Sequence, residues 1–489
     1  MKISKILYTS TLLLLVFYIF NSCEKLIEVD VPNNQIDSNE VFEDLQTANA
    51  ALSALYADVM SSSPVSGVNL DAALGIYTDE LDEYSATITS TKELYLNQQI
   101  ATNATVYNIW VSSYKHVYTA NAILEGVDKS TVLSVADKKY LKGEALFMRT
   151  LMFFYLNQLY GDIPYPVTTD YKTNQIINKT PSAQVLEKMK ADLEQVMVLL
   201  ADDYRNTERI YPNRMVARLL LAKIYMAQQQ WNEAEQNLKE IVQSSQYQME
   251  TDISKVFQKS GKHILWQLKP ANNTSLRQAT IYYFTGAKPS LYALSSNLVN
   301  SFSTVDKRKL NWMALVTFNG ESWYRAEKYK NRDNTNANEY SIIFRLEEVN
   351  LLLAETLTQQ NKLTEGLPYL NTTRIRAGLP SLGNLNKEDM LNEILLENKR
   401  EFFTAIAINK KILQIIDFAG FIYFSTLFEN YRFRILRRVR DSNPRTCYSQ
   451  QFSRLPQSTT LPTLPKLRFY RRFQWCKYRI IFIIDKIIF

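Results

Sequence analysis

Apolar and polar positions follow a helical period over several long stretches of this chain. Its start differs: residues 6–20 form an apolar run behind Lys2 and Lys5. That layout predicts an export signal. At about 15 residues the run is too short to cross a bilayer, which takes about 20. Over 41–60, apolar residues recur at Leu45, Ala48, Leu52, Leu55 and Val59. Spacings of three and four predict a helix, and Glu40, Glu43 and Asp44 suit the positive end of its dipole. Helices follow over 105–126, 135–160 and 181–201, with a pair inside 213–245. In the second, Ala145, Met148, Met152, Tyr155 and Leu159 form one stripe that stops before Gly161, Pro164 and Pro166, as helix ends should.

The pair inside 213–245 carries half of a repeat. Leu221, Ala222 and Tyr225 lie on one helix, Ala234 and Leu238 on the next. The spacing returns as Leu353, Ala354 and Leu357, then Gly366 and Leu370. Small residues so placed let antiparallel helices approach closely, as in tetratricopeptide hairpins; two generic hairpins are the alternative. Residues 61–106 read as loop with short helices. Between the repeats, 263–268 (HILWQL) reads as a short strand, and 270–340 has loop-like proportions of Asn, Ser, Thr, Tyr and Trp. The expected fold is mostly α: tetratricopeptide-like hairpins, a large irregular insertion and few short strands.

Charge divides the chain. Residues 405–489 hold 16 Lys/Arg against 4 Asp/Glu, while the rest carries 40 against 45. The body is mildly acidic and offers no electrostatic footprint for nucleic acid. Three cysteines occur, Cys23, Cys447 and Cys476, so the body is not a disulfide scaffold. Only two histidines, His116 and His263, and no internal cysteine argue against a structural zinc; carboxylate-only calcium sites remain open. Cys23 follows the apolar run and Ser22, which predicts cleavage before it and a lipid on its thiol, although Phe20 stands where Leu is usual. An ordinary secretory signal is the alternative. Acyl chains at about 0.8 kcal/mol per buried CH₂ would make the anchor permanent.

Several segments share one order. They are CEKLIEVDVPNN, FFYLNQLYGDIPYP (153–166), RMVARLLLAKIYMAQQQWNEAEQNL (214–238), FRLEEVNLLLAETL (344–357), YLNTTRIRAGLP (369–380) and EILLENKREFF (393–403). Together, over about 23–404, the chain resembles the SusD/RagB family of outer-membrane lipoproteins. The resemblance implies an α–α superhelix and a signal peptide over 1–22. It implies a body whose N-terminal part spans about 23–245 and whose C-terminal part spans about 246–404. It implies a surface-exposed, lipid-anchored, non-enzymatic protein. Its partner would be a SusC-type TonB-dependent transporter, over which it closes as a lid, and its ligand an oligosaccharide or a peptide. No cofactor or metal is implied beyond the lipid on Cys23. A lipid-anchored tetratricopeptide scaffold that binds protein is the alternative.

Glycan binding needs flat aromatic faces and a few fixed polar groups. Two regions supply them: 71–95, with Asp79, Tyr84 and Tyr95, and 281–332, with Tyr282, Tyr283, Trp312, Trp323 and Arg325. Each aromatic taken singly is also a natural packing residue. Carboxylate pairs (Asp79/Glu80, Asp82/Glu83, Glu347/Glu348) have no distinguishing context, and no hydrolase, zincin or P-loop motif occurs. His116 reads as structural.

The end departs from the family. Members continue after Glu401-Phe402-Phe403 into a segment resembling Gly-His-Arg; here Thr404 is followed by AIAINKK. Composition and periodicity change together at about residue 405, which predicts that 405–489 is read out of frame. A genuine tail is the alternative, with residues 412–428 imitating a short span and the basic stretch 432–440 meeting anionic lipid.

Overall fold

The computed structural model describes residues 40–405, apart from 63, 64, 66, 67 and 101. The leader, the lipidation of Cys23, the stretch up to residue 39 and the tail beyond Ala405 lie outside the described residues.

The first helix, α1 (Leu45–Ser62), starts where Asp44 accepts hydrogen bonds from the backbone of Gln46 and Thr47 at 2.9 and 3.0 Å. Ala48, Leu52, Leu55 and Val59 are buried, while Leu45 is exposed. The stretch read as loop holds α2 (Val68–Tyr77), strand β1 (Leu81–Glu83) and α3 (Ser90–Tyr95). Helix α4 (Ala104–Lys129) is capped by Asn103, whose Oδ1 accepts from Val106 N at 3.1 Å. Helix α5 (Val135–Tyr160) is capped by Ser134 and ends on Gly161 at φ 71, a conformation that glycine adopts at no steric cost. A short α6 (Tyr171–Asn174) precedes α7 (Ser182–Leu199), and the repeat pair is α8 (Arg214–Ala227) with α9 (Trp231–Gln243). After the insertion come α13 (Leu346–Gln359), α14 (Leu363–Arg376) and α15 (Lys387–Phe402).

The long helices pack in a continuous series: α4 on α5, α5 on α7, α7 on α8, α8 on α9, α9 on α13, α13 on α14. The two repeat hairpins therefore stack directly, although about a hundred residues separate them in sequence. Glu235 on α9 ties the stack by accepting from Lys362 at 2.7 Å and Gln360 at 2.8 Å. The small residues do what their spacing predicts. A Cβ on Gly366 would lie 3.2 Å from the carbonyl oxygen of Ala354. The main core fills this stack, with Phe147 edge-on to the buried Trp266 at 5.5 Å.

The insertion is more regular than its composition predicts. It holds β2 (Ile264–Leu268), α10 (Arg277–Ile281), β3 (Tyr292–Leu294), α11 (Ser296–Asn300), α12 (Lys307–Trp312), β4 (Met313–Phe318), β5 (Glu321–Ala326) and β6 (Ser341–Arg345). Strand β2 pairs antiparallel with β6 against the helices. The other four strands form one antiparallel sheet in the order β1-β3-β5-β4. One face of that sheet covers a second core, which includes Ile76, Leu81, Tyr292, Leu294, Met313 and Phe403.

Candidate functional site

Two of the eight residues expected to meet ligand belong to this second core. Trp312 is 1% exposed and donates from Nε1 to the carbonyl of Ile253 at 3.0 Å. Tyr282 is 2% exposed, and burial, then the Asp71 carboxylate, pushes its hydroxyl well above the usual range. Both were expected to face a ligand, and neither has a free face to offer one. Their aromatic area is what roofs the core beneath the sheet.

Of the other six, Tyr84, Tyr283, Trp323 and Arg325 gather on the sheet's far side, whereas Tyr95 is partly buried against the second core and Asp79 lies at the turn into β1. Successive residues of a strand face opposite ways. Tyr324 and Ala326 of β5 pack on the second core, so Trp323 and Arg325 face outward. Trp323 sits opposite Val316 in the β4–β5 register and packs with Tyr84, Phe284, Ala293 and Val316. Tyr84 arrives from the end of β1, its N–H donating to Leu291 O at 2.7 Å. Tyr84 and Trp323 are both half-buried and form a shelf over an apolar floor.

One end of the shelf is acidic. Asp82 lies opposite Ala293 in the β1–β3 register, and Tyr95 on α3 donates to its Oδ1 at 3.4 Å. Partial burial, opposed by the Tyr95 hydroxyl, raises the Asp82 carboxyl above its ordinary value. Burial, then the Asp82 charge, raises the hydroxyls of Tyr84 and Tyr95. Both phenols therefore stay protonated and able to donate at neutral pH. Asp79 is exposed at the turn into β1, in the left-handed region at φ 58, and its carbonyl accepts from Ser295 Oγ at 2.7 Å.

The other end is basic. Arg325 donates to Phe284 O at 2.6 Å and Glu327 Oε1 at 2.8 Å. Its guanidinium lies 4.3 Å from the ring centre of Tyr283, and that of Arg332 lies 3.9 Å from it. Such cation–π contacts fix the cations and occupy the ring, so the 37%-exposed Tyr283 organises this corner more than it offers a stacking face. Phe284, Val316 and Arg332 were not singled out from sequence. The signal was present: alternating residues flank Asn319-Gly320, the strongest short-range mark of a hairpin.

An aromatic shelf between an acidic and a basic corner can stack on sugar C–H faces and bond several hydroxyls. Of the carboxylate pairs noted in the sequence, Glu83, Glu347 and Glu348 are engaged in ion pairs. Glu83 meets Lys92 at 2.9 Å, Glu347 meets Arg376, and Glu348 meets Lys223. Among the described residues no cluster of His, Cys, Asp and Glu is placed to hold a metal ion, and no helix is long and apolar enough to cross a membrane.

Known proteins show the same architecture. A sequence profile described as "Starch-binding associating with outer membrane" matches residues 32–226, and one described as "SusD family" matches residues 223–404. A SusD-like protein of Formosa agariphila is 25% identical over 265 residues, 52% of this chain and 50% of that one. The chain thus spans half the length of that relative. A second from the same organism is 21% identical over 468 residues, covering 82% of this chain and 89% of that protein. Among solved structures, a SusD-like carbohydrate binding protein from Bacteroides vulgatus superposes with TM-score 0.64 at 19% identity, over 76% of this chain and 83% of that one. Surface glycan-binding protein A from Bacteroides thetaiotaomicron, in complex with laminarihexaose, gives 0.61 at 19% identity, over 73% and 87%. At such identities the superpositions speak for the fold. Two adjoining profiles that together span residues 32–404, carried on that shared fold, place this chain in the SusD/RagB family.

Proposed function

We propose that this protein is a non-enzymatic glycan-binding lipoprotein of the outer-membrane surface, lipidated at Cys23. It would act as the lid of a SusC-type TonB-dependent transporter. The observation that carries the binding role is the meeting of Tyr84 and Trp323 on one open sheet face, from distant parts of the chain, over Phe284 and Val316. Packing alone does not call for two half-exposed aromatic rings bracketed by opposite charges. The laminarihexaose complex of a structural neighbour and the profile described as starch-binding support a glycan over a peptide. The transporter rests on the family resemblance, and the lipid on Cys23 behind Ser22 and the apolar run.

Calorimetric titration with a panel of hexasaccharides tests the ligand. One member should bind, and Trp323→Ala should weaken it by about tenfold or more, the equivalent of about 1.4 kcal/mol. Binding that survives Trp323→Ala and Tyr84→Ala together removes the sheet face from the reading. A protein scaffold, the rival role, predicts no saccharide binding at all. Labelled palmitate should enter the wild-type protein and not Cys23→Ser. Co-purification with a TonB-dependent barrel from detergent-solubilised membranes tests the lid role.

A further inference from the structure

A second cluster of aromatic surface lies away from the sheet. Along α4, Trp110, Tyr114 and Tyr118 border an open groove of about 290 Å³, whose opposite wall is the 164–177 segment with Pro164, Pro166 and Asn174. That volume is at the lower edge of the range of small-molecule sites. Tyr118 is 56% exposed at its edge. The Trp110 indole is held in place by Tyr114 at 4.8 Å and Tyr160 at 5.0 Å.

The groove is built and held open. Tyr114 donates from its hydroxyl to Pro164 O at 2.8 Å, and Asn121 from Nδ2 to Pro166 O at 3.1 Å. Glu125 accepts from Thr168 Oγ1 at 2.7 Å, Thr169 N at 2.8 Å and Thr169 Oγ1 at 2.5 Å. Asn174 donates to Thr168 O at 2.8 Å. Three side chains of α4 thus staple an irregular segment to it at a fixed separation, and Asn174 braces that segment internally. A preorganised wall lowers the ordering cost of binding. One atom of this set is left over: Asn174 Oδ1 is buried and has no hydrogen-bond partner among the described residues. A buried acceptor without a donor costs about 1–3 kcal/mol, which a hydroxyl donor from a ligand would relieve.

We propose that this groove is a second saccharide-binding site, separate from the sheet face and selective for neutral sugar units. The proposal rests on the glycan reading given above. Neutrality follows from the lining, where no charged side chain is found among the described residues, in contrast to the acidic and basic corners of the sheet. A peptide fits less well. Pro164 and Pro166 have no N–H, and their carbonyls are already taken by Tyr114 and Asn121. A peptide main chain would find no ladder to join, whereas a sugar needs only flat faces and a hydroxyl acceptor. Two sites on one body would hold a chain at two points, raising its effective concentration.

Hydrogen exchange read by mass spectrometry on the full-length protein tests this. The probes are laminarihexaose, maltohexaose, xylohexaose and a proline-rich decapeptide, and the reporters are segments 164–177 and 313–326. A hexasaccharide should protect 164–177 in the wild type and in Trp323→Ala. Tyr118→Ala should weaken the concentration dependence at 164–177 by about tenfold and leave 313–326 unchanged. Saccharide protection of 313–326 alone overturns the second site and leaves the glycan reading standing. Protection of 164–177 by the decapeptide and by no saccharide makes the groove a protein-docking surface and overturns the proposal. Protection of neither segment by any saccharide overturns both readings.

Discussion

Trp312 and Trp323 stand close together in sequence and do different work. Trp312 fills the second core, edge-on to Phe257 at 5.2 Å, whereas Trp323 lies half-open on the opposite face of the same sheet. Trp312→Ala should cost about 3–5 kcal/mol of stability, and Trp323→Ala should cost binding while leaving the denaturation midpoint nearly in place. Urea unfolding of both variants checks this; equal losses would mean that the shelf is also a packing element. His116 makes a residue-scale prediction about pH. It is 1% exposed, neither ring nitrogen has a hydrogen-bond partner among the described residues, and burial pushes its imidazole down to about 4, against the pull of Asp58 at 3.9 Å. Unfolded, the ring takes a proton near 6.5. Between those values the unfolded chain binds more protons, so stability falls as pH drops through that window. From this residue the fall is about 2 kcal/mol between pH 7 and pH 5. His116→Leu should show a smaller fall by that amount; an unchanged pH dependence contradicts the burial account.

At the scale of elements, the hairpin that carries Trp323 depends on its turn. Asn319 and Gly320 both have positive φ, 51 and 81, as a tight two-residue hairpin requires. A Cβ at Gly320 would meet no atom within 4 Å. Gly320→Ala therefore isolates the conformational cost, about 1 kcal/mol, and should lower the denaturation midpoint accordingly, with no steric contribution. An unchanged midpoint would mean that the turn tolerates another conformation. The helices were legible because their apolar spacing persists over many turns and their caps sit where the pattern begins, as Asn103 and Ser134 do. Strands β1 and β3 were not legible. Each is three residues long, too short to display a period, and their pairing is set by contacts between the two regions.

The whole molecule is tied by charges buried where the insertion meets the last helix. Glu401 on α15 accepts from Arg345 at 2.5 Å, Arg376 at 2.5 Å and Arg308 at 3.0 Å, and Arg308 also meets Glu397 at 2.6 Å and Asp306 at 2.8 Å. Burial alone would raise the Glu401 carboxyl, but Arg376, Arg345 and Arg308 hold it well below the usual range. These partners come from α12, β6, α14 and α15, so the cluster joins the insertion to the C-terminal helices. Beside it Lys328 donates to the carbonyls of Glu401 and Phe403, at 3.0 and 2.5 Å. Removing one member leaves buried charge uncompensated, and Glu401→Ala should cost about 3–5 kcal/mol. Thermal unfolding within about 1 kcal/mol of wild type would show that water replaces the carboxylate. Helical class, the two hairpins and their small residues could be read along the chain, because each depends on neighbours within a few turns. The stacking of those hairpins across the insertion, the side of the sheet on which each aromatic falls and the pairing of Arg345 with Glu401 could not. They depend on contacts between distant segments, and the alternation that puts Trp323 outside also puts Tyr324 inside, next to it in sequence. An aromatic residue in a loop-like stretch becomes a ligand shelf or a core only when the strand beneath it acquires a partner.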